Sequence, residues 1–421
     1  MRKFYLLILL AIPLWCFSQS AHYENNVFNP NIKSVQFYNT KKNPSFPIIR
    51  LNSEEQVELD FDDLRGGSRY FYYTIEHCDG DWNSSNLSPN EYLTGFNEDK
   101  ILDYNYSSAT FQKYTHYTIK LPNSNITPKL SGNYILKVYE DDDTSKMILT
   151  RKLYVVNDKV SIAASIVPSG DLSSRQTNQK INFQLNYGTL VVQNPSNDLR
   201  IWVMQNQRDE TGQFTTQPQY IRGNQLIYED LSTNDFPGRN EFRHFDTRTL
   251  KLNSAGVSAI YKDTANTVVL VTDQSRNVPN YISNFDNDGN YYIINQDASS
   301  GNPSIDADYT HLYFSLNANK TASDGSVYIV GKFNDYKLDD RSKLDYDTRG
   351  KFYTHLFLKQ GVYDYEYVWV DNATKKTDDI LLQGSYFETE NSYQILVYYH
   401  PPTARWEELV GYRVLNSAKT Q

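Results

Sequence analysis

The chain has 421 residues, with 41 Lys and Arg against 50 Asp and Glu and a formal net charge of −9 at pH 7. That balance argues against nucleic acid and anionic lipid surfaces as partners, because both are polyanions. Its 35 Tyr, 20 Phe and 5 Trp stand against only 3 Met, a composition suited to half-buried pleated surfaces. Clusters of Asn, Asp, Ser and Gly punctuate the chain at roughly ten-residue intervals, as turns do in sandwiches. The expected class is all-β, with tandem immunoglobulin-like or early-set β-sandwich domains.

Residues 1–18 read as a secretory signal peptide. Arg2-Lys3 is followed by the apolar stretch 4–14 and by Cys16-Phe17-Ser18, with cleavage expected after Ser18. The apolar stretch is shorter than the ~20 residues of a spanning helix. A lipid anchor at Cys16 is disfavoured because Trp15 stands where a small residue is wanted. With Cys16 removed, Cys78 is the lone thiol, so no intrachain disulfide can form and packing alone must hold the fold.

Residues 19–158 are expected to form an N-terminal β-sandwich. Val57, Leu59 and Phe61 alternate with Gln56, Glu58 and Asp60, which reads as an apolar-in, polar-out strand. Asp141-Asp142-Asp143 reads as a solvated hairpin turn rather than a calcium site. The strand Tyr70 to His77 runs into His77-Cys78-Asp79-Gly80-Asp81-Trp82, the densest group of chemically able side chains in the chain. The following stretch, 83–111, is long for a sandwich loop, and long ordered loops are often functional.

Residues 159–300 are expected to form a middle β domain. Within it, Arg239-Asn240-Glu241-Phe242-Arg243-His244-Phe245-Asp246 mixes aromatic rings with Arg239, Arg243, Glu241 and Asp246. Arginines anchored by carboxylates at a domain seam are the first reading, and a polar contact patch for a partner the second. The stretch 284–290 resembles a calcium loop, but the twelfth position is Asn295 and not the required Glu. It is expected instead to make a hairpin turn at Asp288-Gly289.

Residues 301–421 are expected to form a C-terminal sandwich. Gly331-Lys332-Phe333-Asn334 followed by Gly361-Val362-Tyr363-Asp364-Tyr365-Glu366-Tyr367 resembles early-set immunoglobulin-like domains, including glycogen-binding modules. The sugar-binding members tend to carry a Trp platform where this chain has Tyr336.

No nucleophile elbow, zinc-protease helix, phosphate loop or paired-cysteine motif is present in the sequence. His77 and Cys78 are neighbours on a strand and point to opposite faces, so they do not make a thiolate–imidazole pair. Asp79 and Asp81 lack an evident partner to tune them as acid and base. No catalysis and no cofactor or metal is expected.

Several segments together carry a more specific resemblance. They are Ser45-Phe46-Pro47-Ile48-Ile49-Arg50-Leu51, Leu59-Asp60-Phe61-Asp62-Asp63-Leu64, His77 to Trp82, Ser88-Pro89-Asn90-Glu91-Tyr92-Leu93 and Asn240 to Asp246. In order and spacing the chain resembles the plug family of the Bacteroidetes type IX secretion system. The resemblance implies a non-enzymatic periplasmic protein. It would bind the periplasmic opening of the outer-membrane translocon barrel and seal it when no cargo passes, as one copy within the complex and without entering the membrane. His77, Cys78, Asp79, Asp81, Trp82, Arg239, Asn240, Glu241, Arg243 and Asp246 are carried over as family markers and possible contacts, with the stretch from Asn83 onward the preferred contact region. The alternative is an exported glycan-binding protein that uses the C-terminal sandwich.

Overall fold

Alternation of apolar and polar residues with period two sets strands along most of the chain. The computed structural model describes residues 23–41, 45–188, 190–298 and 301–419. The expected leader and Cys16 lie outside the described residues. Strand makes up 46% of the protein and helix 6%, and each α-helical turn is four residues long. The protein is all-β.

The first sandwich pairs two sheets. One runs, in spatial order, Asn26–Val27, Met147–Val156, Gly132–Glu140, Phe71–Cys78 and Asp99–Lys100, with Ile48–Arg50 added in parallel to Met147–Val156. The other runs Ile32–Asn39, Val57–Asp63, Thr115–Leu121 and Asp103–Tyr106. Leu59, Phe61, Phe71, Ile75, Tyr117 and Leu136 fill the space between them. Phe61, Phe71 and Tyr117 pack with ring centroids 4.8–5.5 Å apart, within the range aromatic pairs prefer. The stretch 83–111 is not a plain loop. It contains the turn Pro89–Tyr92 and three short strands, and two of these strands extend the two sheets at the same edge.

Strand pairing crosses the boundary expected at residue 300. The second sandwich combines the sheet Ser161–Pro168, Asn178–Asn186, Gln225–Tyr228 and Tyr220–Arg222 with a sheet ordered Gln213–Thr215, Leu199–Gln205, Ser392–Tyr399 and Glu408–Asn416. Its core joins Ile181, Phe183 and Ile201 to Ile395, Val397 and Val410. The third sandwich is inserted between these halves. Arg243–Asp246, Gly361–Asp371 and Tyr291–Ile293 lie in one of its sheets, and Asn266–Leu270, Tyr309–Asn317 and Phe352–Lys359 lie in the other. Its core draws on Phe245, Leu250 and Val268 as well as Leu312, Val327 and Trp369. The consecutive blocks 159–300 and 301–421 therefore do not describe this packing. Sheet pairing requires only that unpaired edges meet, whatever their separation in sequence. The expected hairpin at Asp288-Gly289 is also absent as such: the strand after it, Tyr291–Ile293, pairs with Gly361–Asp371.

The outward face of Val57–Asp63 corrects the polar-out reading of that strand. Asp60 is only 9% exposed and Asp62 not at all, because the third sandwich covers them. Lys359 Nζ, itself buried, lies 2.7 Å from Asp62 Oδ2 and also donates to the Ser304 carbonyl at 2.8 Å. The Tyr309 hydroxyl donates to Asp62 Oδ2 at 2.7 Å. His116 Nδ1 stands 2.8 Å from Asp62 Oδ1, and its Nε2 3.4 Å from Asp60 Oδ1. Burial opposes the Asp62 charge, yet Lys359 and His116 outweigh it and hold the carboxyl below the usual range. Burial likewise opposes protonation of His116, but hydrogen bonds to Asp60 and Asp62 raise its pKa to about 9.

Two outcomes follow for this seam. Lys359→Met leaves the buried Asp62 carboxylate with His116 as its one remaining cation and costs about 3 kcal/mol, read as a lower urea midpoint; adding Asp62→Asn restores most of it. His116 has its pKa raised on folding, so its contribution is complete below the unfolded value of about 6.5 and is lost as pH rises through about 9. The stability gap between wild type and His116→Gln should therefore be widest near pH 6 and close above pH 9.

Candidate functional site

The two family-marking segments lie at junctions between sandwiches. The first begins where Phe71–Cys78 ends. His77 and Cys78 are both fully buried. His77 Nε2 lies 3.3 Å from the Ser131 carbonyl, and its ring stands edge-on to Tyr134 at 5.0 Å. Burial pushes the His77 pKa down to about 4, so the imidazole is neutral at pH 7. Burial pushes the Cys78 thiol up, with Glu76 adding to the effect, so it stays protonated. A nucleophile would need the thiolate.

Asp79 shapes the turn. Its carboxylate accepts the backbone N–H groups of Asp81 and Asn83 at 2.9 and 2.8 Å, an Asx-type turn. Through this turn and the neighbouring Asn133 the first sandwich makes three polar contacts to the second. Gly80 N–H donates to Glu407 Oε2 at 2.7 Å. Asp81 Oδ1 accepts from Arg200 Nη2 at 2.7 Å, and Arg200 also lies 3.6 Å from Glu407. Asn133, held by its Nδ2 to the Asp79 carbonyl, accepts the Tyr398 hydroxyl at 3.0 Å. Trp82 is half-buried, with its ring edge-on to Tyr154 at 5.2 Å and Lys152 Nζ 4.4 Å above it. Beneath lies an apolar layer shared by two sandwiches: Phe46, Ile48 and Tyr154 from the first, with Met204, Leu396 and Leu409 from the second. Trp82 thus borders the seam between the first and second sandwiches.

The second segment is the crossing from the second sandwich into the third. Arg239 Nε donates to Asp379 at 2.7 Å, and its guanidinium also reaches Gln205. Asn240 Nδ2 donates to the Gln383 carbonyl at 2.7 Å. Glu241 accepts the Glu390 N–H at 3.0 Å and the Tyr281 hydroxyl, and burial raises its pKa to about 7. Arg243 pairs with Asp273 at 2.8 Å and donates to the Gln274 carbonyl. Phe245 is a core ring, and Asp246 pairs with Arg248 at 2.6 Å. Arg239 is anchored by a carboxylate at the seam between the second and third sandwiches, whereas Arg243 and Arg248 pair with carboxylates within the third.

Some functional neighbours left no trace in the sequence. Gly80 and Glu407 are 327 positions apart, and Asp62 and Lys359 are 297 apart. His311 and His355, also remote in sequence, meet with ring nitrogens 2.7 Å apart on an outer sheet face. Among the described residues no group of three or more His, Cys, Asp or Glu is placed to hold a metal. Tyr336, the residue on which a sugar platform would depend, has the Arg208 guanidinium 4.3 Å from its ring centre and Phe242 at 6.4 Å. That ring is occupied within the protein, which disfavours the glycan-binding alternative.

The architecture is that of a tandem β-sandwich protein whose most reactive-looking side chains are spent on joining its parts. Comparison with known proteins makes this specific. Residues 32–157 match the family described as type 9 secretion system plug protein, first domain. A crystal structure of a hypothetical protein from Parabacteroides merdae aligns with a TM-score of 0.89 at 33% identity, covering 94% of this chain and 99% of that one. No curated protein matches. The chain belongs to the type IX secretion system plug family.

Gly80 offers a direct check on the first junction. A Cβ there would sit 2.8 Å from Glu407 Oε2 and 3.3 Å from Tyr398 Cγ. Gly80→Ala should force Glu407 aside and cost about 1–3 kcal/mol, seen as a lower melting temperature and faster proteolysis in the connector 157–160. Asp81→Ala, at an exposed ion pair, should change stability by under ~1 kcal/mol.

Proposed function

We propose that this protein is a non-enzymatic periplasmic plug that seals the inner opening of the outer-membrane type IX translocon barrel while no cargo is in transit. Membership of the plug family is the observation that carries this reading. The physical organisation supports it. A stopper must keep its shape against a wide opening, and three sandwiches joined through buried seams resist deformation better than domains on free linkers. The described residues include no helix long and apolar enough to cross a membrane, and the proposed attachment is through the protein partner. Reversible closure favours a polar, aromatic-bearing contact over a large apolar one. The edge built by residues 96–111 offers such a surface, with Phe96, Leu102, Tyr106 and Phe111 between 55% and 75% exposed.

Affinity purification of the tagged protein from envelope extracts, with crosslink mapping, tests this. The barrel should be recovered, and crosslinks should include the 96–111 edge. Repeated recovery without the barrel would overturn the proposal. Crosslinks confined to other surfaces would reject this edge while leaving the partner in place.

A further inference from the structure

Beside the Asp62 junction the first and third sandwiches leave a cleft of about 140 Å³ between them. Ile32 and Val35 line it from the first sandwich, and Phe333, Leu356 and Leu358 from the third. Val35, Phe333, Leu356 and Leu358 are partly buried residues at the edges of the two cores, so the cores approach here without closing on one another. Three tyrosine rings complete the wall, and their polar ends are spent within the chain. The Tyr291 hydroxyl donates to the Val35 carbonyl at 2.8 Å, that of Tyr309 to Asp62 at 2.7 Å, and that of Tyr363 to the Lys359 carbonyl at 2.6 Å. What these rings offer the cleft is apolar surface.

The same cleft carries charges that do not cancel. Lys33, Arg151, Lys337 and Arg341 line it, against Asp335 and Asp339. Both carboxylates are engaged, Asp335 by Arg151 at 3.4 Å and Asp339 by Arg341 at 2.6 Å. Asp62, behind Tyr309, is held by Lys359 and His116. Lys33 and Lys337 make no ion pair among the described residues. Lys337 Nζ donates to Asn26 Oδ1 at 2.6 Å, a neutral amide. Glu24, outside the lining, is near enough to favour the Lys337 charge. Counting it, four cations still face three carboxylates. Burial disfavours the Lys33 charge, Arg341 adds to the effect, and no carboxylate offsets it. A partly buried cation without a counter-charge is unfavourable, and an arriving anion relieves it.

We propose that this cleft binds a small apolar carboxylate, its body against the aliphatic and tyrosine walls and its charge received by Lys33 and Lys337. One negative charge meets the one unmatched cation. An apolar cavity of ~150 Å³ holds benzene, so the volume suits a single ring or a short branched chain. Two sources share this chemistry: a free acid, and the terminal residue of a peptide, whose apolar side chain stands beside its carboxylate. Either would touch both sandwiches and fill the gap in their seam.

The test is fluorine NMR of para-fluorophenylacetate titrated with the purified full chain, with para-fluorophenylacetamide and acetate as controls. The expected result is saturable binding of the acid, with the neutral amide and the bodiless acetate each weaker by roughly tenfold. Lys33→Gln and Lys337→Gln should each weaken binding of the acid by roughly tenfold, with the wild-type circular dichroism spectrum retained. Should one variant not fold, the other and the ligand controls still decide the question. Absence of saturable binding, equal affinity for the amide, equal affinity for acetate, or binding unchanged by both substitutions would overturn the proposal. Displacement by a Gly-rich peptide ending in phenylalanine, but not by its amidated form, would assign the site to chain ends; displacement by neither would assign it to a free acid.

Discussion

A carboxylate sealed between two sandwiches governs how this protein is put together. Asp62 is fully buried, with Lys359 reaching it from the third sandwich and His116 from its own. Removing such charges from water is costly, and their attraction roughly repays that cost only when geometry and hydrogen bonding are good. The pair therefore adds little net stability but much selectivity. Any docking of the third sandwich that misplaced Lys359 would strand a buried anion. The Tyr309 hydroxyl and the Ser304 carbonyl complete the shell, so the register of the two bodies is set at the level of single atoms.

The other junctions divide the work differently. Between the first and second sandwiches an apolar layer around Tyr154 and Leu396 supplies the burial, while Gly80, Asp81 and Asn133 supply direction through hydrogen bonds. Between the second and third, Arg239 and Arg208 cross to Asp379 and Glu366. Because the third sandwich is inserted within the second, it is tethered at both ends. Together these features make one body whose shape follows from its seams. In the cluster from His77 to Trp82 the Asp79 and Asp81 carboxylates and the Trp82 ring are engaged by the chain itself.

Much of the strand content was legible. Val57–Asp63 and Phe71–Cys78 overlap the strands expected at 56–61 and 70–77, because alternation and β-branched or aromatic composition are local properties. Asp103–Tyr106 was missed inside a stretch rich in turn residues, where its D-Y-N-Y sequence lacks an aliphatic face. Glu408–Asn416 carries no clear strand pattern in the sequence, since Gly411 and Arg413 interrupt its apolar residues. Asp60, expected to face solvent, is buried for a different reason. Period two says which residues share a face of a strand and is silent on what covers that face. The site suffers most from this limit, because Glu407, Arg200 and Lys359 acquire meaning only beside partners hundreds of positions away.

The sequence by itself determined the all-β class, the membership of a secretion-plug family and the absence of recognisable catalytic motifs, since composition, periodicity and short motifs are written in neighbouring residues. Only the tertiary structure decided that the third sandwich interrupts the second, that the family-marking turns work as joints, and that Asp62 is sealed against Lys359. Those facts depend on which edges and charges meet after folding, and burial, which alone gives a charge its cost and its partner its value, exists only there.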